Sequence, residues 1–450
     1  MPGDVDDSRE LRPARSYPNL AAVSVCVFIC LVSATLTTCL IAGALRAGRV
    51  FDFAQEWTSA RNSLAGLPVY LDFGQSLEIH LGGSASPTFR YNAHPPAAVL
   101  IALPFGLLDY PSAYVAWSAV SLVCLGISLW LLVGPGRDRQ SGRAGICLLT
   151  LVVSGNSLTH QIVQGQLNLL LLALIVGAWW ADRKDWPAIS GALIGVAAAV
   201  KLFPAFLIVF HLAQRRWRAV WGSAIAFLLV NASGCLVLGF EAYRDYFWRV
   251  APDVAKFRDT WPNSSLLGFW SKLFDGVSGH VVPLSPSPAI AQALTALSCL
   301  AVLASSVWAV PRIAPASGSD FAPGSNRDLA FGLCCTGMLL ASPITWDHAF
   351  LLLVPAFWFA WQACRGQFAT RVLIVVLATV LLWVNPVTVW RLAVPDQFGA
   401  TGHPRLADPA CVLTFVSFQF YALLGIYLLI LAQLARPVWA SRQGGPSGGT

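Results

Sequence analysis

The sequence predicts an all-α fold: a polytopic transmembrane helical bundle of about 12 spans, with an outer loop after span 1 containing interfacial helices. Three observations predict it. Of 450 residues, 56% are hydrophobic and only 11% charged, and the mean hydropathy of +0.64 is far too apolar for a water-soluble domain of this length. Apolar runs long enough to cross a bilayer recur between short basic loops. Cys26, Cys30, Cys124, Cys147, Cys235, Cys299, Cys334 and Cys335 all lie inside such runs, so they read as small core residues and not as a disulfide framework. The net charge of +7 is scattered over the loops and forms no continuous groove, which argues against nucleic acid as a partner.

Residues 1–19 are polar, with Arg9, Arg12 and Arg15 just before an apolar run from Leu20 to Leu45. No small-residue cleavage site is evident, so this run reads as an uncleaved span behind a cytoplasmic tail. Further spans are expected at about 112–133, 144–160, 166–182, 187–201, 202–214, 217–240, 288–310, 328–342, 347–364, 370–390 and 408–435. Residues 20–435 then form one transmembrane domain, with a first outer loop at 46–111, a second at 241–287, and a cytoplasmic tail at 436–450.

Segment 95–108, PPAAVLIALPFGLL, decides the sidedness of every later loop, being apolar but short and broken by Pro104. If it stays on one side, the cytoplasmic face receives 17 of the 29 Lys+Arg; if it crosses, only 11. The positive-inside rule therefore favours a re-entrant or interfacial helix, with both termini cytoplasmic. On that topology 13 of 22 Asp+Glu lie outside, as do His80, His94, His160, His280, His348 and His403. A transporter or lipid flippase would instead place polar residues near the midplane on interrupted helices repeated in the two halves, and no convincing repeat is present. A non-catalytic scaffold would need neither Lys201 nor these histidines.

In the first outer loop, Phe53, Trp57, Ala60 and Leu64 recur at helical spacing while Gln55, Glu56, Ser59 and Asn62 fall elsewhere, as in a helix lying in the membrane interface. Gly66 and Pro68 stop it. Asp52, one residue ahead, fits two compatible roles: a capping box with Gln55, or an acid presented at the membrane surface. In the turn HQIVQGQLN, Gln166 and Asn168 offer amide groups beside Gly165, which lets a ligand approach the backbone; taken by itself, a plain polar turn is the commoner reading. Lys201 stands alone in an apolar stretch, where a lysine must snorkel or face a polar cavity, and an anion such as a lipid phosphate is its natural partner. The loop 241–287 mixes aromatic residues with balanced charge, which suits a cover for a groove or an aromatic belt, and Asn263-Ser264-Ser265 is formally a glycosylation sequon. In SPITWDHAF, His348 beside Asp347 can hold a phosphate or orient a base. No dense Asp/Glu cluster suggests a metal; none is expected, and no other cofactor.

In order, Asp52, LAGLPVY, YNAHPP, GQLN, KLFP with the basic turn QRRWR, NSSLLG and SPITWDH resemble the glycosyltransferase family 87 proteins. These are GT-C membrane enzymes that include polyprenyl-phosphate-mannose-dependent alpha-mannosyltransferases. The resemblance implies a GT-C-type bundle that transfers a sugar, with inversion, from a polyprenyl-phosphate donor to a glycolipid or glycan acceptor outside the cytoplasmic membrane, among membrane lipids. It implies Asp52 as catalytic base and Lys201 and His348 as substrate-binding residues, with Gln166, Asn168, Tyr70, His94 and Asn263 contributed by the other motifs. His94 stands where the family more often has an aromatic residue, and Ala349 where some members carry a second His. Mannose is the expected sugar, with arabinofuranosyl transfer the alternative on the same fold. An acceptor hydroxyl needs a carboxylate to take its proton, and the phosphate leaving group needs cations to meet its growing charge; no second carboxylate is required.

Overall fold

The computed structural model describes residues 20–46, 50–82, 89–134, 139–310, 324–398 and 406–443. The expected tail 1–19, His403 and residues 444–450 lie outside the described residues. Helix α1 (Leu20–Arg46) leads to α2 (Phe53–Leu64), α3 (Phe73–Leu81) and α4 (Pro96–Ala102), the last continued by a 3-10 turn, Leu103–Leu107. Then come α5 (Tyr110–Val133), α6 (Arg139–Val153), α7 (Asn156–Gln164), α8 (Asn168–Arg183), α9 (Pro187–Val200), α10 (Ile208–Ala213) and α11 (Trp217–Leu238). A crossing segment of α12 (Phe240–Asp245), a π-turn at Tyr246–Val250 and α13 (Ala251–Val254) reaches α14 (Leu266–Phe274). The chain ends with α15 (Pro288–Ala309), α16 (Asn326–Leu340), α17 (Val354–Ala363), α18 (Phe368–Trp383), α19 (Pro386–Ala393), α20 (Pro409–Cys411) and α21 (Phe418–Gln443).

The all-helical expectation holds: among the described residues the only β-pairing is an isolated bridge between Val281 and Ala407. Among the described residues five helices are long and apolar enough to cross a membrane, in α1, α5, α11, α15 and α21. The number rises to seven if two bent pairs each count as one span: α6 with α7, bent by 52°, and α18 with α19, bent by 89°. Proline explains the second bend, because Pro386 cannot continue the hydrogen-bond ladder of α18. The other expected spans are also helical but shorter. Helix α16 has 15 residues and is buried from Arg327 to Leu340, packed by α15, α17 and α21. A helix so enclosed meets protein along its length, so bilayer thickness does not set its length as it does for α1, whose described side chains are exposed or half-buried.

Backbone proximity sets one internal contact. Gly191 and Gly195, one turn apart on α9, face α11 so closely that a Cβ at Gly191 would lie 1.8 Å from the Ala219 carbonyl oxygen, and one at Gly195 2.2 Å from that of Ser223. This is small-residue packing of the membrane type. The helix and 3-10 turn at Pro96–Leu107 are short, their 12 residues giving ~18 Å of helix against a hydrocarbon core of ~30 Å.

Helix α2 forms where its periodicity predicts and stops at Ala65–Gly66, and its polar stripe is covered by protein. Gln55, Glu56, Ser59 and Asn62 are buried together with Phe53, Trp57 and Ala60, under α3, α4, α5 and the Leu103–Leu107 turn. The polar stripe is real. It faces protein polar groups in place of headgroups: Asn62 Nδ2 donates to Ser76 Oγ at 2.9 Å, and His80 Nε2 lies 2.8 Å from Asn62 Oδ1.

Candidate functional site

Asp52 stands at the N-cap position of α2 yet makes no capping hydrogen bond, because its own backbone is already helical, with φ −57° and ψ −31°. The expected capping box with Gln55 is absent. Gln55 Oε1 accepts instead from the backbone N–H of Ala93 at 3.0 Å, and the Asp52 carboxylate turns into a cavity. There Oδ2 accepts from Gln166 Nε2 at 2.8 Å.

Gln166 is placed by a turn pinned from several sides. Trp117 Nε1 donates to the Gly165 carbonyl at 2.7 Å, and the Tyr114 hydroxyl donates to Ile162 O at 2.6 Å. Gly165 has φ +67°, and a Cβ there would meet Phe53 Cβ at 2.6 Å, so the residue that approaches its backbone is Phe53 of this chain and not a ligand. Gln161 holds the turn from inside: its side-chain Nε2 donates to the Gln166 carbonyl and its Oε1 accepts from Asn168 Nδ2 at 3.1 Å. Asn168 Oδ1 is buried without a hydrogen-bond partner.

Helix α9 ends at Lys201, which is extended, and Pro204 in the following 3-10 turn Phe203–Leu207 keeps α10 from continuing it in line. The ammonium donates to Gln166 Oε1 at 3.3 Å. One amide thus joins cation to carboxylate, and chemistry fixes its orientation, since the flipped amide would set NH₂ against ammonium and carbonyl against carboxylate.

The turn after α16 brings His348 to the same cavity at the start of the 3-10 helix Asp347–Leu353. Asp347 Oδ1 accepts the His348 backbone N–H at 2.8 Å and lies 3.6 Å from its ring Nδ1. Its other oxygen takes His160 Nδ1 at 2.6 Å and Asn156 Nδ2 at 3.1 Å. Asn263 acts behind this turn. Its side-chain amide donates to the carbonyls of Arg258 at 2.7 Å and Pro343 at 3.0 Å, while its oxygen accepts from Thr345 N at 2.9 Å. Fully buried and outside the cavity wall, Asn263 stitches two loops together, and the sequon it heads is inaccessible in the folded chain. Tyr70 likewise stands behind the wall, its hydroxyl donating to His94 O at 2.7 Å.

The cavity has a volume of ≈ 350 Å³, within the range of small-molecule sites. Asp52, His94, Gln166, Asn168, Lys201 and His348 line it; Phe203, Val254 and Leu267 are among its apolar walls. Six of the eight expected site residues therefore meet in one place. Burial holds the Asp52 carboxyl above its ordinary pKa, opposed by His348 and by the hydrogen bond from Gln166. Among the described residues no group of three or more His, Cys, Asp or Glu is arranged to hold a metal ion.

Three participants escaped the sequence reading. Glu56 is buried and bonded to the His94 ring Nδ1. Its signal was available, since it sits one helical turn after Asp52. Arg258 lines the cavity with its Nε donating to Asp275 Oδ2 at 2.6 Å, and His160 supports Asp347; no local motif marks either pair.

Several membrane-length helices, together with a ligand-sized cavity lined by Asp52, Lys201 and His348, mark a multi-pass membrane protein with a site built on its shorter helices and loops. A sequence profile of glycosyltransferase family 87 matches residues 92–343, more than half of the chain, and the chain belongs to that family. The match begins after Asp52 and ends before His348. The chain is 25% identical over 312 residues to a polyprenol-phosphate-mannose-dependent alpha-(1-2)-phosphatidylinositol mannoside mannosyltransferase of Mycobacterium tuberculosis, covering 66% of each chain. A polyprenol-phosphate-mannose-dependent alpha-(1-2)-phosphatidylinositol pentamannoside mannosyltransferase of the same species is 29% identical over 274 residues, 58% of this chain and 56% of that one. An alpha-(1->3)-arabinofuranosyltransferase of that species is 23% identical over 39% of this chain and 40% of its own. The matched regions span 66%, 56% and 40% of these relatives' own lengths, each less than two thirds.

Proposed function

We propose that the protein is a membrane glycosyltransferase that moves mannose, with inversion, from a polyprenyl-phosphate donor to a glycolipid or glycan acceptor on the outer face of the cytoplasmic membrane. The observation that carries this reading is the Asp52–Gln166–Lys201 arrangement: a half-buried carboxylate freed from capping, tied through one amide to the Lys201 ammonium in a ligand-sized cavity.

Asp52 takes the proton from the attacking acceptor hydroxyl as its oxygen bonds to the anomeric carbon. The anomeric carbon–oxygen bond to phosphate breaks on the opposite face, and its electron pair stays on the phosphate oxygen. Lys201 and His348 meet that negative charge at the cavity wall, where a fixed cation near low-dielectric protein is worth more than in bulk solvent. The raised pKa of Asp52 makes it a stronger proton acceptor than an exposed aspartate. The names of the more similar relatives support mannose over arabinofuranose. The same reading carries the twelve-span GT-C topology, cytoplasmic termini and an outward-facing site.

Detergent-solubilised protein offered polyprenyl-phosphate mannose and decaprenyl-phosphate arabinofuranose, each with a membrane glycolipid extract, tests it. Consumption of the mannosyl donor with a labelled glycolipid product is expected. Consumption of the arabinosyl donor alone would replace the sugar, and consumption of neither would overturn the function.

A further inference from the structure

The chain from Asn92 to His94 is zipped to one side of α2. Asn92 Nδ2 donates to Ser59 Oγ at 3.2 Å, Ala93 N to Gln55 Oε1 at 3.0 Å, and the His94 ring Nδ1 bonds Glu56. His94 is held through its main chain as well, its N–H donating to Asn92 Oδ1 at 3.0 Å and its carbonyl accepting from Tyr70. This fixes an imidazole on the cavity wall with one nitrogen committed to a carboxylate and the other edge left for whatever enters. Glu56 is 3% exposed, and a buried acid costs stability unless it is paired and hydrogen-bonded. His94 is that partner.

Asp52 and Glu56 are one helical turn apart, about 6 Å between side-chain origins. Glu56 holds His94, so Asp52 and His94 present two hydrogen-bonding groups to the same cavity. An anion at His94 would sit beside two carboxylates, the buried Glu56 and the half-buried Asp52, which disfavours a phosphate there, whereas Lys201 stands beyond Gln166. A neutral hydroxyl meets no such repulsion.

We propose that His94, oriented by Glu56, binds the acceptor sugar through the hydroxyl next to the one that attacks, so that the acceptor must carry two neighbouring hydroxyls. This rests on the transferase reading above. With the Glu56 carboxylate taking Nδ1–H, Nε2 receives a hydrogen bond from that second hydroxyl while Asp52 receives the proton of the first. His94 thereby selects which position of the acceptor ring is glycosylated.

The test uses polyprenyl-phosphate mannose with dodecyl α-D-mannopyranoside and its monodeoxy forms. Linkage analysis of the product from the parent mannoside identifies the attacked hydroxyl. Removing a hydroxyl beside it lowers acceptor kcat/KM about tenfold in the parental protein, while in His94→Ala the same pair of acceptors differ by less than about twofold. The KM for the donor is the same in both proteins. Equal penalties in the two proteins, or a rise in donor KM in His94→Ala, overturn the proposal. Should His94→Ala not fold, the parental protein decides alone, since indifference to every neighbouring hydroxyl also overturns it. No transfer to any mannoside with the donor left intact removes the transferase reading, and this proposal with it.

Discussion

Gln166 donates its side-chain amide to Asp52 across 2.8 Å, joining residues 114 apart in sequence. A hydrogen bond to a carboxylate favours the charged form, so this one pulls the Asp52 pKa down against the burial that pushes it up. Gln166→Leu removes the pull, the pKa rises further, and less of the base is ionised at a given pH. The acid limb of the kcat/KM profile then moves to higher pH, with activity recovering as pH is raised. A limb that stays in place, measured over a range where the protein remains folded, would separate Gln166 from the base.

The other end of that amide takes Lys201 at 3.3 Å. If the ammonium also meets the donor phosphate, Lys201→Met raises donor KM about tenfold or more, in line with a charge-assisted hydrogen bond. Acceptor KM is expected to stay within about twofold. Unchanged donor KM would reduce Lys201 to a snorkelling residue.

Gly165→Ala probes how the turn places Gln166. The substitution forces a side chain into the left-handed region and drives a methyl to 2.6 Å from Phe53 Cβ. Strain and overpacking together are expected to cost about 2–4 kcal/mol. A lowered thermal midpoint in detergent and a fall in turnover should appear together, since Phe53 adjoins Asp52. An unaltered midpoint would mean that the turn is free to move away from α2.

Much of this site was legible because its residues are chemically out of place locally. Lys201 interrupts an apolar run, and Asp52 and His348 sit at the ends of apolar segments, so each invites a question that its neighbours in sequence do not answer. Burial of α2 was not legible. Its polar stripe is what an interfacial helix carries, and only the chain at 92–94, distant in sequence, reveals that the stripe is satisfied by protein groups. The Glu56–His94 pair was hidden for the same reason. Asn263 misled in the opposite sense, because its sequon suggests exposure while its four-way bonding to main-chain groups requires burial. Span counting from apolar runs met a comparable difficulty in enclosed helices such as α16, which are apolar without needing the length of a lipid-facing span.

The distribution of basic loops predicts the sidedness. Reporters fused at the exposed positions Lys184 and Gly366 should read cytoplasmic, and one at Leu284 external. A cytoplasmic signal at Leu284 would mean that the Pro96–Leu107 segment crosses the membrane and that the cavity faces the other way.

The central claim is that Asp52 is the base, and Asp52→Asn tests it most directly. Asn and Asp are nearly equal as N-caps, and the Asp52 side chain makes no cap bond to lose, so folding and donor KM should stay close to parental. The variant keeps a side-chain oxygen but cannot accept the hydroxyl proton, and kcat for mannosyl transfer from polyprenyl-phosphate mannose is predicted to fall by ~10²-fold or more. Transfer at the parental rate by a folded Asp52→Asn protein would contradict the account.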